Sequence, residues 1–78
     1  MDRPYDHFAR ALGAAVRSAR RALEKTQEDL AYEADVSVRQ VSEIENGGNP
    51  KLNTLWRIAR TLEVPVDDLI AEARRSKR

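Results

Sequence analysis

Two helix starts lie eleven residues apart in the stretch TQEDLAYEADVSVRQ, and this spacing restricts the fold more than any other feature of the chain. Thr26 precedes Asp29 by three residues, and Ser37 precedes Gln40 by three. Each pair has the spacing of a capping box, in which the hydroxyl accepts from a backbone N–H of the first turn and the later side chain reaches back to the N–H of the cap. The sequence therefore predicts two short helices, the first ending near Ala34.

The turn between these helices has room for little more than Asp35 and Val36. Two helices joined by so short a turn cross at a large angle, which is the geometry of a helix-turn-helix. Ala31 is small where the helices must approach, and Asp35 tolerates a positive φ better than most residues. Val36 and Val41 have the spacing of a hydrophobic staple. We therefore predict a helix-turn-helix at about residues 27–45.

Helical periodicity predicts three further helices and no strand. The first runs from Tyr5 to Leu23, the fourth spans Leu52 to Leu62, and the fifth starts at about Val66. The fold class is therefore all-α, with five helices in a single domain of residues 1–78. Its core covers about residues 6–73, and the basic residues 74–78 are expected to form a disordered tail.

Composition limits the function classes. With 14 Lys and Arg against 13 Asp and Glu, the net charge is +1, so total charge alone does not indicate nucleic-acid binding. No apolar run approaches the ~20 residues needed to cross a bilayer, and a cytoplasmic, nucleoid-associated protein is expected. His7 is the single histidine and there is no cysteine, so no nucleophile–base pair or His-rich metal site can be assembled. We expect no enzyme, no cofactor, no metal and no small-molecule ligand.

The segments TQEDLA, VSVRQVSEIENG and TLWRIARTLEVPVDDLI resemble the phage-repressor/Cro-like (XRE-type) helix-turn-helix family. The resemblance covers about Leu12 to Ile70 and implies a five-helix, lambda-repressor-like domain whose third helix lies in the major groove of double-stranded DNA. It implies a buried structural pair, Arg20 and Glu45. The base-reading positions that it implies are Val38, Arg39, Gln40 and Glu43. The implied phosphate contacts are Gln27, Ser42, Asn46, Asn49 and Lys51.

Several of these side chains have alternative roles. A guanidinium can donate two hydrogen bonds to guanine O6 and N7, which favours Arg39 as a base contact over the alternatives of a solvated or phosphate-bound side chain. Gln40 can pair with adenine, although its capping role uses the same amide. Glu43 can accept from cytosine, repel wrong sites or hold Arg39 in place. Ser42 is either a phosphate contact or a small filler, and Val38 either touches a thymine methyl group or is simply exposed.

The sequence departs from the family pattern near two turns. Asp35 stands at the turn position where the family prefers glycine, which should cost some stability. Glu24 stands where a glycine commonly ends the first helix, and Lys25 stands where an apolar residue usually precedes the cap. These departures concern the connections and not the DNA-reading face.

One such domain contacts too few base pairs to select a site, so the resemblance favours a homodimer on a pseudo-palindromic operator with half-sites ~34 Å apart. The predicted function is sequence-specific transcriptional regulation, and SEIENGGNPKLNTL resembles the controller proteins of restriction–modification systems. The alternatives are an antitoxin or adaptor that uses the same fold to bind protein, and a DNA-binding domain detached from a larger protein. The predicted dimer contact comprises Val66, Leu69, Ile70 and Ala73.

Overall fold

The computed structural model describes residues 3–76, which form five α-helices and no strand. The helices are α1 (Pro4–Ala22), α2 (Gln27–Ala34), α3 (Val38–Glu45), α4 (Leu52–Leu62) and α5 (Val66–Arg75). The all-α, five-helix prediction is confirmed, and α2 and α3 occupy the predicted helix-turn-helix segment.

Both predicted capping boxes are present. The Thr26 hydroxyl accepts from the Asp29 backbone N–H at 3.0 Å, and the Asp29 carboxylate accepts from the Thr26 N–H at 2.9 Å. Ser37 and Gln40 repeat the pattern, with distances of 3.0 and 2.8 Å. The hydrogen bonds from Thr26, its backbone N–H first, hold the pKa of Asp29 below its ordinary value. Each box satisfies N–H groups that a helix start leaves without partners, so the starts of α2 and α3 are fixed locally.

Three acidic residues follow helix ends in the left-handed region of the backbone. They are Glu24 (φ 58°), Asp35 (φ 60°) and Glu63 (φ 61°), and they follow α1, α2 and α4. An L-residue in this region carries a steric cost of about 1–2 kcal/mol. A carboxylate at the negative end of a helix dipole is also unfavourable. Glu24 and Asp35, where the sequence departs from the glycine pattern, therefore keep the glycine-like conformation at a cost in stability, and Glu63 does the same after α4.

Replacing Asp35 by glycine is therefore expected to raise the free energy of unfolding by about 0.5–1 kcal/mol, because glycine adopts this φ without a Cβ clash. The ion pair lost with Arg57 spans 3.7 Å and is solvent-exposed, so it contributes little. The hydrogen bond that Arg57 donates to the backbone oxygen of residue 35 remains. Urea denaturation measures the difference. Glu72→Gly, within α5, is the control and should lower stability by about 1 kcal/mol. A lower midpoint for Asp35→Gly would show that the turn depends on the carboxylate.

One core joins all five helices. Its largest fully buried side chains come one from each helix and are Val16, Leu30, Val41, Ile58 and Leu69. Leu69 and Ala73 are only 1% and 2% exposed, so they have no surface to offer to a second protomer. These two residues, predicted to form a dimer contact, are corrected to core residues, whereas Val66 and Ile70 are half-buried.

The last helix is longer than the sequence suggested. α5 continues through Arg75, so the prediction of a disordered tail is wrong for Arg74 and Arg75. Residues 77 and 78 of that predicted tail lie outside the described residues. No helix of residues 3–76 is both long and apolar enough to span a membrane.

Helices α1 and α3 cross at Gly13, a buried residue that the sequence analysis did not single out. A Cβ atom at this position would lie 2.9 Å from the carbonyl oxygen of Glu45 and closer still to that of Ile44. Only glycine allows the last turn of α3 to approach the backbone of α1 so closely. The crossing therefore sets the position of α3, the helix that carries the predicted reading residues.

Candidate nucleic-acid interface

The outer face of α3 carries most of the predicted base-reading side chains. Val38, Arg39 and Glu43 are exposed. At 3.6 residues per turn Arg39 and Glu43 lie opposite the buried Val41 and Ile44, whereas Val38 lies to one side of them. Gln40 is also exposed, at the edge of this face. The structure thus brings the four residues together on the first two turns of one helix, and the hydrophobic side of that helix faces the core.

Arg39 and Glu43 form an ion pair one helical turn apart. Arg39 Nε donates to Glu43 Oε2 at 3.2 Å, and the two side chains are 87% and 60% exposed. The contact by which Glu43 would hold Arg39 in place is therefore present, although an exposed ion pair of this kind contributes little to stability. Within residues 3–76 the two terminal nitrogens of Arg39 have no partner. They are the donors that pairing with guanine would use.

Gln40 is engaged by the capping box through one end of its amide. Its Oε1 accepts from the Ser37 backbone N–H at 2.8 Å. Pairing with adenine through both ends of the amide would break this hydrogen bond. The Nε2 group of Gln40 makes no hydrogen bond to the described part of the chain. A base contact by Gln40 stays a prediction, and it would have to use this NH2 group.

Glu45, at the end of α3, accepts hydrogen bonds from two other helices. Its Oε2 accepts from Arg20 Nε at 2.7 Å, and its Oε1 accepts from Arg20 Nη2 and from Gln27 Nε2, both at 3.0 Å. Arg17 Nε adds a fourth donor at 3.3 Å. Burial raises the pKa of Glu45, but the hydrogen bonds from Arg20 and Gln27 outweigh it, so the pKa lies below its ordinary value. This cluster, the Glu45 hub, fixes α3 against α1 and α2.

Arg20 and Glu45, the implied structural pair, are both buried, at 8% and 5% exposed. Arg20 Nη1 also donates to the backbone oxygen of Lys25 at 2.8 Å, so the same guanidinium holds the α1–α2 connection. The hydrogen bond to Glu45 is the main reason that the pKa of Arg20 lies above its ordinary value. No buried side-chain N or O atom among the described residues lacks a partner. Lys25 departs from the family's apolar preference and instead pairs with Glu33 at 2.7 Å.

The predicted phosphate contacts lie around the end of α3 and the following loop. Asn46 Nδ2 donates to Ser42 Oγ at 3.4 Å, and Asn49 Oδ1 accepts from the Tyr5 hydroxyl at 2.6 Å. Lys51 is exposed at the start of α4. Tyr5 and Arg17 were not predicted to support this surface, because each reaches it from a distant part of the chain. A groove of about 180 Å³ brings together four of the predicted contact residues, namely Gln40, Glu43, Asn49 and Lys51.

Gln27 lies at the first position of α2, but its side-chain amide is committed to Glu45. It therefore braces α3 from α2. A phosphate contact at Gln27 stays a prediction. Its donor would be the backbone N–H of Gln27, which lies at the positive end of the α2 dipole.

The comparisons with known proteins agree with this geometry. A family model described as helix-turn-helix matches residues 16–69, which include α2, α3 and α4 in full. The chain belongs to this helix-turn-helix family, which is of the XRE type.

The relatives are regulators by name. An uncharacterized HTH-type transcriptional regulator of Bacillus subtilis (strain 168), RghRB, is 40% identical over 63 residues. That match covers 78% of this chain and 45% of RghRB, so the chain spans less than half of that relative's length. The clp gene regulator ClgR of Corynebacterium glutamicum has a similar structure, with a TM-score of 0.81 and 33% identity over 91% of this chain and 94% of that one.

A restriction–modification controller protein, C.AhdI of Aeromonas hydrophila, is also similar. It matches with a TM-score of 0.75 and 26% identity over 78% of this chain and 94% of that chain. The same fold is therefore found in more than one type of regulator.

Proposed function

We propose that this chain is a sequence-specific, double-stranded DNA-binding transcriptional regulator that inserts α3 into the major groove. The observation that carries the proposal is the combination of an exposed reading face with a rigid support. The capping box of Ser37 holds the start of α3, and the Glu45 hub holds its end. Between them Arg39 presents terminal guanidinium nitrogens that have no partner in the described chain. Such preorganised donors suit the edges of bases.

The surrounding donors suit phosphate oxygens. Asn49 uses its side-chain oxygen to accept from Tyr5, which leaves its NH2 group for a phosphate. Lys51 adds a cation at the same groove. Contacts of this kind set the register of a protein on the duplex without reading its sequence. Asn46 and Ser42 extend this phosphate surface along the outer face of α3.

Replacing Arg39 by alanine is expected to relax the preference at one base pair in each half-site, by about 1–3 kcal/mol. Gln27→Ala should instead weaken binding to all duplexes alike, because it removes the hydrogen bond by which Gln27 braces α3 at Glu45. Competition binding against a panel of single-base-pair substitutions distinguishes the two patterns. Arg75→Ala, which removes the same charge from the exposed end of α5, is the control and should leave the preference unchanged. A uniform loss for Arg39→Ala would contradict its role as a base reader.

We further propose that the regulator acts as a homodimer through the α4–α5 patch, which comprises Leu52, Trp56 and Val66. Leu52 and Trp56 are 73% and 51% exposed, and the three side chains line a groove of about 460 Å³ with Asn53. Large exposed apolar side chains in one patch favour a protein contact. A second copy is the proposed occupant, because helix-turn-helix domains bind two half-sites as dimers and the patch begins at Leu52, directly after Lys51 of the proposed phosphate surface. This patch retains Val66 from the predicted contact and replaces the buried Leu69 and Ala73.

Trp56→Asp is expected to convert the protein from dimer to monomer, because a carboxylate would be buried in an apolar contact. Sedimentation equilibrium measures the change, and binding to a palindromic duplex should lose its cooperativity while affinity for a single half-site is kept. Tyr32→Asp is the matched control, since Tyr32 is an aromatic residue that is 89% exposed on α2. A Trp56→Asp protein that remains dimeric would rule out the α4–α5 patch as the contact.

The regulated genes are proposed from the relatives. The likeness to the controller proteins C.AhdI and C.Esp1396I, together with the segment SEIENGGNPKLNTL, supports control of restriction–modification genes. The higher identity to ClgR supports control of clp genes as a second candidate. Sequencing the DNA that is crosslinked to the protein in cells separates them by the promoters recovered. If no promoter is recovered, and a second protein instead co-purifies with this chain in a stoichiometric amount, the antitoxin or adaptor alternative is favoured.

A further inference from the structure

A concave surface on α1, here called the α1 groove, lies beside the reading face, and its arginines have no role in reading bases in the function proposed above. It has a volume of about 570 Å³ and is lined by Arg10, Arg17 and Arg21, with Ser18, Glu45 and Asn46. The three arginines recur at helical spacing, so they share one side of α1. The one carboxylate is Glu45, which is buried and already accepts from Arg17, Arg20 and Gln27. The α1 groove is therefore positively charged.

The α1 groove is continuous with the outer face of α3. Arg17 Nη2 donates to Asn46 Oδ1 at 3.4 Å, and Asn46 in turn donates to Ser42 one helical turn earlier. The loop after α3 also contacts α1. Gly47 has a φ of 91°, and a Cβ there would lie 2.8 Å from Cγ of Arg10, so the stem of that arginine covers the loop backbone. The surface that ends at Asn46 on α3 thus continues onto α1.

We propose that the α1 groove binds the phosphate backbone of the same duplex, with Arg17 and Arg21 as the donors that extend the contact beyond α3. The inference rests on the proposed function. The twelve residues from Arg10 to Arg21 span roughly 16 Å along the helix axis, which is too long for a single anion. A DNA strand, with one charge per ~3.4 Å, offers a row of phosphates over that distance. Arg17 is held in place by its hydrogen bonds to Glu45 and Asn46, which reduces the entropy lost on binding.

The test is the salt dependence of binding to a duplex that the wild-type protein prefers. Each phosphate contact contributes about 0.9 to the slope of log K against log salt concentration. Arg21→Gln should therefore make the slope shallower by about 0.9, and Arg17→Gln with Arg21→Gln by about 1.8, with the base preference unchanged. Hydroxyl-radical footprinting should show one protected backbone segment lost in each half-site. Arg75→Gln removes the same charge from α5 and should change neither the slope nor the footprint.

The outcomes separate the two proposals. If the wild-type protein shows no sequence preference, the proposed function fails. If it has a preference, and Arg21→Gln keeps both the wild-type slope and the full footprint, the α1 groove does not bind the backbone. An equal change of slope in Arg75→Gln would show an effect of net charge and would also overturn the inference. Arg21 is exposed, so this variant tests the groove even if Arg17→Gln disturbs the Glu45 hub.

Discussion

Replacing Glu45 by glutamine is expected to lower the free energy of unfolding by about 3–5 kcal/mol, because it removes the charge from a buried pair and leaves the other partner uncompensated. Arg20, at 8% exposed, would keep its positive charge without the carboxylate. The new amide would also direct an NH2 group toward donors that now need an acceptor. Urea denaturation at pH 7 measures this loss, which is a large part of the stability of a domain of this size.

Glu43→Gln is the matched control, since it is the same exchange on the same helix at a residue whose side chain is 60% exposed. It should change stability by no more than about 0.5 kcal/mol. The pH dependence gives a second check. The pKa of Glu45 is lowered by folding, so the folded state binds fewer protons. The stabilisation is therefore complete above the unfolded value of about 4.3 and disappears as the pH falls through the folded pKa.

The deficit of Glu45→Gln should accordingly shrink at acidic pH, where the wild-type carboxylate also becomes neutral. A variant that unfolds at the wild-type urea concentration at pH 7 would show that the Glu45 hub does not stabilise the fold. A deficit that is the same at all pH values would show that the charge of Glu45 is irrelevant and that only its shape matters.

Replacing Gly13 by valine is expected to destabilise the protein by about 3 kcal/mol or more, because the added atoms would overlap carbonyl groups of α3. Backbone atoms cannot move aside as a flexible side chain can, so α1 and α3 must separate. The separation would also disturb the Glu45 hub. We therefore expect weaker DNA binding even at temperatures where the variant stays folded, and thermal unfolding with parallel binding assays measures both effects.

Ala14→Val is the control, because it adds a β-branched side chain at the adjacent, exposed position of α1. Its cost should be limited to the difference in helix propensity, below about 0.7 kcal/mol. Equal losses for the two variants would mean that the crossing is looser than the contacts at Gly13 indicate.

Local sequence signals predicted much of the fold. The capping boxes of Thr26 and Ser37 and the short turn at Asp35 act within a few residues, so their pattern determines where α2 and α3 begin. Periodicity likewise identified the buried faces. It does not identify which helix covers a face, which is why Leu69 was assigned to a dimer contact although it packs inside one protomer.

Several of the contacts that support the candidate site could not be predicted from the sequence. Tyr5 and Asn49 meet across 44 positions, and Arg17 and Glu45 across 28, so no local pattern relates them. Gly13 gave no signal because a glycine within a helix normally only lowers propensity. These long-range contacts depend on how the helices cross. The predicted roles of Arg39 and its neighbours came from the family resemblance and stay predictions until DNA is bound.

The most direct test of sequence-specific DNA binding compares the protein's own promoter duplex with a shuffled duplex of equal length and composition, over a series of salt concentrations. We expect tighter binding to the promoter duplex by about 10³-fold or more at physiological salt. The preference should persist as salt rises, whereas binding to the shuffled duplex should disappear first. Equal affinity for both duplexes at every salt concentration would contradict the proposal that α3 reads base sequence.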